Sequence, residues 1–374
     1  MTSKVSLHQF SEDSQKEGFC LLYSGMEGET IVGVDGKRVD KDEIRQSRFQ
    51  GTSIGYFAYP NPTLKNDIPD SRFYEFEDIL IHSDVINRVP TNVPKYQTSG
   101  TLQVSVTKSE YIQKIKHIKE LLAAGEIYQM CYSIRFRKKF TGNPYGLFLK
   151  LSESNPSNFS SYLNCGDFQI ISASPERLFE VKNGVIKTQP IKGTVAKDTG
   201  QRTQDTDKAE SCAAERLLSS KKDRAELDMI TDLERNDVGK ICEYGTLQLT
   251  KERELMELKN LWHTFSEVQG TLRKDVGPSE VIEAMFPGGS ITGCPKTRAM
   301  KYIEELEGLP RNIFTGSVGY ISGSKMDFNI AIRTALVKDG YIEYWAGGGI
   351  VADSDPESEY EECMLKAEKF LELV

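Results

Sequence analysis

The sequence lacks the residue patterns of metal-cluster and disulfide-rich proteins. Only four His occur, with no His-x-x-x-His pair, and the seven Cys are scattered without a Cys-x-x-Cys pair. An odd number of scattered Cys is typical of reduced, buried thiols and does not fit a disulfide framework or a zinc site. We therefore expect neither a His-rich metal centre nor a fold that depends on disulfides.

Long apolar runs and an excess of basic charge are also missing. No apolar run reaches the ~18 residues that a bilayer crossing needs, and the N-terminal segment has no apolar signal core. Lys and Arg number 47 against 55 Asp and Glu, which gives a formal net charge of −8. General nucleic-acid binding needs a cationic surface. We expect a cytoplasmic protein that binds neither nucleic acid nor membranes.

What the sequence does contain is the composition of an ordinary globular protein. Its 374 residues are 38% hydrophobic and 27% charged. At this length roughly three quarters of the surface of the unfolded chain can be buried, so a sizeable core forms without staples. The segment 88–101, rich in Pro, Thr and Gly, predicts a loop between an N-terminal region, residues 1–100, and a core, residues 105–374.

Hydrophobic patterning predicts strands in runs with helices between them, which indicates an α+β chain with large antiparallel sheets. Strands are predicted at residues 20–25, 30–34, 53–59, 127–136, 168–174, 177–183, 184–191, 315–322, 326–338 and 341–351. Helices are predicted at residues 107–124, 205–240, 279–286, 297–307 and 357–374. Thr107 and Glu110 form a capping-box pattern, and Asn183-Gly184 predicts a hairpin turn.

Two helical segments carry acids one turn apart. Asp223 and Glu226 form one i, i+3 pair, and Glu359 and Glu362 form the other. Each pair puts two carboxylates on one helix face. Two such faces brought together would make an oxygen-rich site suited to Mg²⁺. Charged helical faces are usually only solvated, so spacing alone leaves both interpretations open.

Three further residues have chemistry of interest and an ordinary explanation beside it. Lys192 ends an apolar strand, where a lysine usually reaches towards water but in a dry cleft becomes an amine nucleophile. Glu176 follows Pro175 and is either a surface acid or a general acid in an apolar pocket. His263, flanked by Trp262, is more often a core residue than a catalytic one.

Two glycine-rich segments do not match nucleotide-binding motifs. GGSITGCPKT at 288–297 has Cys294 and Pro295 where a phosphate loop needs Lys and Ser or Thr. AGGGIV at 346–351 lacks the Gly-x-Gly-x-x-Gly register. Both segments suit a close backbone approach to a ligand, and both are equally compatible with a plain turn or strand end.

The order of the motifs resembles the chorismate-utilising family, which includes anthranilate synthase component I, aminodeoxychorismate synthase component I, isochorismate synthase and salicylate synthase. The resemblance covers about residues 105–374. The motifs are, in order, SASPERLFEV, TQPIKGT, KDRAELDMITDLERNDVGK, HTFSEVQG, MFPGGSITGCPKTRAM, FTGSVGYIS, FNIAIRTAL and AGGGIVADSDPESEYEECMLKA.

This resemblance implies a large α/β sandwich of two subdomains with antiparallel sheets around a central cleft that binds chorismate. Mg²⁺ is the implied cofactor. Glu226 and Glu362 resemble its direct ligands, and Asp223 and Glu359 resemble the acids that hold metal-bound water. Both acidic pairs thus acquire a role, because a divalent cation reconciles two repelling faces.

The resemblance also implies roles for the remaining site residues. Glu176 resembles the general acid that protonates the departing hydroxyl, and His263 resembles the histidine near that leaving group. The expected substrate-binding residues are Arg333, Tyr320, Gly293, Thr194, Gly347, Gly348, Gly349 and Lys366. Arg333 can grip a carboxylate bidentately.

Two positions favour the aminodeoxychorismate synthase branch of the family. Gln129 stands where members that add water carry a lysine base, and an amide cannot take a proton from water. Lys192 stands where anthranilate synthases carry Ala. In this branch the lysine amine is implied to attack ring carbon 2 while the hydroxyl leaves carbon 4, after which ammonia attacks carbon 4 and expels the lysine. The product is 4-amino-4-deoxychorismate, the precursor of para-aminobenzoate and folate.

The resemblance implies a separate source of ammonia. The sequence contains no Gly-x-Cys-x-Gly nucleophile segment, so we expect a glutamine amidotransferase subunit in a heterodimer, or ammonia from solution. Anthranilate synthase component I is the alternative enzyme. A non-catalytic family member acting as a binding subunit is the alternative from another class, and the intact acidic residues together with Lys192 disfavour it.

Overall fold

The computed structural model describes residues 10–24, 29–39, 51–82, 93–155, 157–196, 217–257 and 261–374. In chain order its strands are β1 (Cys20–Ser24), β2 (Glu29–Gly33), β3 (Lys37–Val39), β4 (Thr52–Phe57), β5 (Ser71–Phe76), β6 (Ile79–His82), β7 (Tyr96–Val104), β8 (Gln129–Gly142), β9 (Phe159–Asn164), β10 (Phe168–Ser174), β11 (Arg177–Lys182), β12 (Val185–Thr188), β13 (Ile191–Ala196), β14 (Gln248–Glu257), β15 (Leu261–Thr271), β16 (Gly293–Cys294), β17 (Ser317–Ser322), β18 (Lys325–Asn329), β19 (Thr334–Lys338) and β20 (Tyr341–Ile350). Its α-helices are α1 (Lys108–Ala123), α2 (Pro144–Ser154), α3 (Lys221–Gly239), α4 (Pro278–Met285), α5 (Lys296–Glu307) and α6 (Pro356–Leu371).

The chain divides into two compact units. The first comprises Met1–Pro175, Pro287–Gly323 and Phe328–Val374, and the second comprises Glu176–Phe286 and Ser324–Asp327. This division follows contacts and not a single cut in the sequence. The domain boundary near residue 100 stays a prediction. Within both units strands pair antiparallel and helices pack on the sheets, so the predicted α+β fold class is confirmed.

The first unit is built around one large antiparallel sheet. Its strands run in the order β16-β8-β20-β19-β10-β9-β1-β2-β6, with β7 added beside β8. One face buries apolar side chains against α1, α2, α5 and α6, among them Ile115, Phe148, Ile303 and Phe370. The other face packs on β4, β5 and β17, which pair with one another antiparallel. Helix–sheet–sheet layering therefore gives this unit two apolar cores.

The second unit contains antiparallel strands covered by α3. Strand β15 pairs with β12 and β13 along one edge and with β14 along the other. Helix α3 packs on β13 and β15 and buries Leu227, Ile230 and Val238. This packing fixes which face of α3 lies over the sheet.

Local sequence signals account for several element boundaries. The capping box at the start of α1 is present, since the Glu110 carboxylate accepts from the Thr107 backbone N–H at 2.7 Å and the Thr107 hydroxyl accepts from the Glu110 N–H. The Asn183-Gly184 hairpin is also confirmed. Both residues have positive φ, 54° and 75°, as the mirror-image turn between paired strands requires.

Three predicted elements need correction or delimitation. The loop at 88–101 is wrong from Tyr96 onwards, because β7 pairs with β8 and the Tyr96 ring stacks on Phe140; residues 88–92 lie outside the described part of the chain. The single strand predicted at 326–338 is two strands, β18 and β19. The extended conformation is interrupted before β19 at Arg333, which has φ 50°. The helix at 205–240 is confirmed over α3, and residues 205–216 are not described.

None of the helices in the described residues combines the length and the apolar composition that a bilayer crossing requires. The six cysteines that the structure describes are all free thiols.

A buried ion pair locks α5 onto β8. The Arg311 side chain is fully buried and bonds the Glu307 carboxylate through two nitrogens at 2.7 and 2.8 Å. Its remaining donors reach the carbonyls of Cys131 and Ile291 and the hydroxyl of Thr315. Every hydrogen bond of the guanidinium is thus made inside the protein, and the pair is costly to break from one side only.

We expect Glu307→Gln to lower the free energy of unfolding by about 3 kcal/mol, because it leaves the Arg311 charge buried without its partner. Urea denaturation measures this change. Glu305→Gln is the matched control, since Glu305 lies on the same helix but is half exposed beside Lys301. A loss equal in both variants would contradict this account of the buried pair.

Candidate active site

Lys192 lies at a bulge in the ladder between β13 and β15. Lys192 pairs with Thr264, but the next pair is Thr194 with His263, so Gly193 is an extra residue on β13. Gly193 has φ +73°, a conformation that favours glycine. The bulge interrupts the ladder immediately after Lys192, and it can re-aim the side chains beside it.

The Lys192 ammonium reaches the first turns of α3. Its Nζ lies 3.6 Å from Oε2 of Glu226, and the side chains are only 18% and 10% exposed. Asp223, one turn earlier, lies against the bulge, since a Cβ on Gly193 would sit 3.3 Å from Asp223 Cγ. The second unit therefore brings together Lys192, Glu226 and Asp223.

The other two predicted catalytic residues of the second unit are buried. His263 is 3% exposed, and its Nδ1 lies 3.2 Å from the Gly193 carbonyl oxygen, so the ring is held on the same bulge as Lys192. Glu176 is 6% exposed and immediately precedes β11. The backbone of Thr194 pairs with His263, and the Thr194 side chain lies outside the described part of the chain.

The first unit gathers a second group of predicted residues around the end of β20. Lys366 of α6 donates to the Gly347 carbonyl at 3.1 Å and lies 2.6 Å from Oε1 of Glu362. Glu359 is 5% exposed and accepts from the Ser354 hydroxyl at 2.6 Å. A Cβ on Gly348 would lie 3.4 Å from Glu359 and 3.6 Å from Lys366, so the glycines, the acids and the lysine form one surface.

The three glycines of β20 differ in how tightly they are packed. A Cβ on Gly347 would lie 2.2 Å from the Tyr132 carbonyl oxygen and 2.3 Å from Ser133 Oγ, so no side chain fits there. Gly348 has only ordinary contacts, and Gly349 pairs with Cys131. The close approach of β20 to β8 therefore requires glycine at position 347 in particular.

Gly293 and Gln129 lie side by side where β16 pairs with β8. Gly293 has φ +146°, and a Cβ there would lie 2.2 Å from the Gln129 carbonyl oxygen. Gln129 is 1% exposed, and within the described residues its Nε2 has no hydrogen-bond partner. The side-chain amide of Gln129 is therefore a buried hydrogen-bond donor next to Gly293.

Arg333 and Tyr320 belong to the first unit as well. Arg333 holds its positive-φ position immediately before β19, and its Nη1 lies 3.4 Å from Asn155 Oδ1. Tyr320 lies on β17, pairs with Ile54 and packs against the second apolar core of this unit. The role of both residues in substrate binding stays a prediction.

The predicted magnesium ligands fall into two pairs, one in each unit. Within each pair one acid is already neutralised by an ammonium group, Glu226 by Lys192 and Glu362 by Lys366. Across the part of the chain that the structure describes, no three His, Cys, Asp or Glu side chains converge as a metal-binding group. The carboxylate oxygens of these acids are ligands of the kind that Mg²⁺ prefers. The metal site stays a prediction.

One thiol lies beside these acids without adding reactivity. Cys363 follows Glu362 and donates to the Ala346 carbonyl at 3.2 Å. Burial raises the pKa of its thiol to about 12. Cys363 is therefore a neutral packing group and not a nucleophile.

Sequence reasoning missed two residues that bond to the predicted site. Thr264 donates its hydroxyl proton to the Lys192 carbonyl, and Ser354 donates to Glu359. Strand β15 was not among the predicted strands, so its pairing with β13 was not visible. Alternation along HTFSEVQG is the signal that would have indicated that strand.

Comparison with known proteins places these features in one family. The sequence model of the chorismate binding enzyme family matches residues 52–372 of this chain. Aminodeoxychorismate synthase component 1 of Bacillus subtilis (strain 168) is 38% identical over 362 residues, which cover 85% of this chain and 76% of that protein. Anthranilate synthase component 1 of Aquifex aeolicus (strain VF5) is 35% identical over 392 residues, which cover 92% and 78%.

A solved structure agrees with the sequence comparison. The crystal structure of anthranilate synthase component I from Streptococcus pneumoniae TIGR4 superposes with a TM-score of 0.72 at 28% identity. The match covers 94% of this chain and 90% of that one. The fold is therefore shared over nearly the whole length.

We expect Gly347→Ala to lower the free energy of unfolding by about 2 kcal/mol, because its methyl group overlaps the Tyr132 carbonyl and forces the two strands apart. Gly348→Ala, one residue along, meets only ordinary contacts and should lose less than about 1 kcal/mol. Thermal and urea denaturation of both variants measure the difference. Equal stability of the two variants would show that β20 can move away from β8 without loss.

Proposed function

We propose that this chain, which belongs to the chorismate binding enzyme family, aminates chorismate at ring carbon 4 to give 4-amino-4-deoxychorismate. Chorismate is the substrate that membership of this family indicates. The observation that carries the finer assignment is Lys192, an amine on the β13 bulge whose Nζ lies beside the predicted ligand Glu226. The named aminodeoxychorismate synthase relatives at 38% identity support the same choice.

In the proposed mechanism Lys192 is the first nucleophile. Once deprotonated, its amine attacks ring carbon 2, the two conjugated ring double bonds shift, and the carbon 4 hydroxyl leaves with a proton from Glu176 as water. Ammonia then attacks carbon 4, both double bonds shift back, and the bond between carbon 2 and the lysine nitrogen breaks, which releases the neutral amine. The proton that the added ammonia sheds replaces the one from Glu176, so chorismate and ammonia give the amine and water.

Burial of Glu176 suits its proposed role. A carboxyl group removed from water is easier to keep protonated, and a general acid must carry its proton until the hydroxyl departs. His263, held by the Gly193 carbonyl on the Lys192 bulge, is proposed to lie near the same leaving group.

Magnesium, when bound, would neutralise the ring carboxylate of chorismate. Glu226 and Glu362 are proposed to hold it directly, and Asp223 and Glu359 through water. Lys192 and Lys366 pair with these two proposed direct ligands. Those lysines would exchange their carboxylate partners for the substrate, Lys192 for the ring and Lys366 for a substrate carboxylate beside Gly347 and Gly348.

The buried amide of Gln129 supports amination over addition of water. Position 129 carries an amide where, by the resemblance, water-adding members carry a lysine base, and an amide cannot take a proton from water. Ammonia needs no such base, because it is already a nucleophile. A separate glutaminase subunit is the proposed source, in line with relatives that are named as component 1.

Anthranilate synthase component I is the second candidate. Relatives of that name match at 35% and 30% identity over 92% of this chain. Lys192 favours the first candidate, since the resemblance places Ala at this position in anthranilate synthases. A non-catalytic binding subunit is the remaining alternative, and a chain with no turnover in the presence of ammonia would support it.

We expect the chain to convert chorismate, with Mg²⁺ and ammonia, into a product that keeps its enolpyruvyl group. Mass spectrometry identifies the product, lactate dehydrogenase detects any free pyruvate, and chelation with EDTA is the control for the metal. Release of pyruvate together with fluorescent anthranilate would instead identify the chain as an anthranilate synthase.

Replacing Lys192 tests the proposed nucleophile. We expect Lys192→Ala to slow amination at carbon 4 by at least about 100-fold, because the first displacement loses its nucleophile. Lys187→Ala is the control, since this lysine of the same unit pairs with Glu180 at 2.8 Å and has no proposed role. Amination at full rate by Lys192→Ala would rule the mechanism out.

A further inference from the structure

Strand β13 loses its regular pairing immediately after the residue that the proposed reaction needs most. The register passes from Lys192 opposite Thr264 directly to Thr194 opposite His263, with Gly193 bulged out between them. A bulged residue leaves the ladder locally disrupted. Lys192 is therefore the last paired residue before the disruption, and side-chain contacts there add to the backbone pairing.

Two side chains of β15 supply that support. The Thr264 hydroxyl donates to the Lys192 carbonyl, and the His263 ring nitrogen Nδ1 lies 3.2 Å from the Gly193 carbonyl. Both side chains are nearly inaccessible, Thr264 at 4% and His263 at 3% exposure. Both carbonyls of the bulge are thus held from the neighbouring strand.

The Thr264 contact differs from the His263 contact in the residue that it holds, which is Lys192 itself and not Gly193. Thr264 donates its proton to a backbone oxygen of Lys192, and that bond holds the peptide from which the amine extends. A shift of about 1 Å in the position of a reacting group is enough to cost on the order of 100-fold in rate. The hydroxyl therefore acts on the reaction through the place of Lys192.

We propose that Thr264 is a positioning residue that holds the Lys192 backbone so that its amine reaches ring carbon 2 of the substrate. This inference rests on the proposed function, because it needs Lys192 as the nucleophile. The hydroxyl contributes geometry at the bulge and takes no part in proton transfer. Valine has the shape of threonine without the donor, and serine keeps the donor without the methyl group.

The test compares Thr264→Val and Thr264→Ser in the full chain, with ammonia as nitrogen source and the product identified as above. We expect Thr264→Val to lower kcat between about 10-fold and 100-fold with the KM for chorismate changed less than about twofold. Thr264→Ser should recover kcat to within about threefold of the parent. Thr264→Ala removes the same donor and replaces the valine variant if that variant does not fold.

Thr231→Val is the matched control. Thr231 is also buried in the second unit and also donates its hydroxyl to a backbone carbonyl, but that carbonyl belongs to Leu227, at 2.6 Å within α3 itself. Its kcat should stay within about twofold of the parent. A loss of kcat in Thr231→Val equal to that in Thr264→Val would overturn the inference, because the effect would then be one of general stability.

Two further outcomes separate the inference from the proposed function. If Lys192→Ala is inactive but Thr264→Val keeps kcat within twofold, or if Thr264→Ser is as slow as Thr264→Val, the inference is wrong and the proposed function stands. If Lys192→Ala aminates carbon 4 at full rate, the proposed function fails and leaves Thr264 with nothing to position.

Discussion

The ion pair between Lys192 and Glu226 is the contact on which the rest of the second unit depends. It joins the bulge of β13 to the first turns of α3 across side chains that are 18% and 10% exposed. Separating two charges that are so little solvated leaves each one poorly compensated. Helix α3 therefore cannot rotate or slide on the sheet without a loss, and Asp223, on the same face, is fixed with it.

The bulge is possible because of one residue without a side chain. Gly193 adopts φ +73°, and any Cβ there would collide with Leu217 at 2.7 Å and crowd Asp223 at 3.3 Å. The same device recurs in the first unit, where Gly347 lets β20 approach β8. Both groups of predicted site residues thus lie where glycine permits a backbone approach that other residues forbid. An acid lies close to a glycine in each group, Asp223 to Gly193 and Glu359 to Gly348.

Local rules made much of the architecture predictable, and long-range pairing accounts for the rest. The capping box of α1 and the Asn183-Gly184 hairpin are encoded within four residues and could be predicted directly. Strand β7 could not, because its polar sequence becomes a strand only through pairing with β8. The acidic pairs were visible from their spacing, whereas the hydroxyl of Thr264 has meaning only once β15 is placed beside β13.

The two lysine–acid pairs are unequal, and that inequality bears on how the proposed site would fill. The side chains of Lys366 and Glu362 are 43% and 52% exposed, so their pair is worth at most about 1 kcal/mol and exchanges readily. Lys192 and Glu226 are far less exposed, so Glu226 would otherwise be left with a poorly solvated charge. Lys366 can therefore turn to a substrate carboxylate at almost no loss. Lys192 can leave Glu226 cheaply only when another cation takes its place, so in the proposed mechanism the amine would stay beside Glu226 until such a cation is bound.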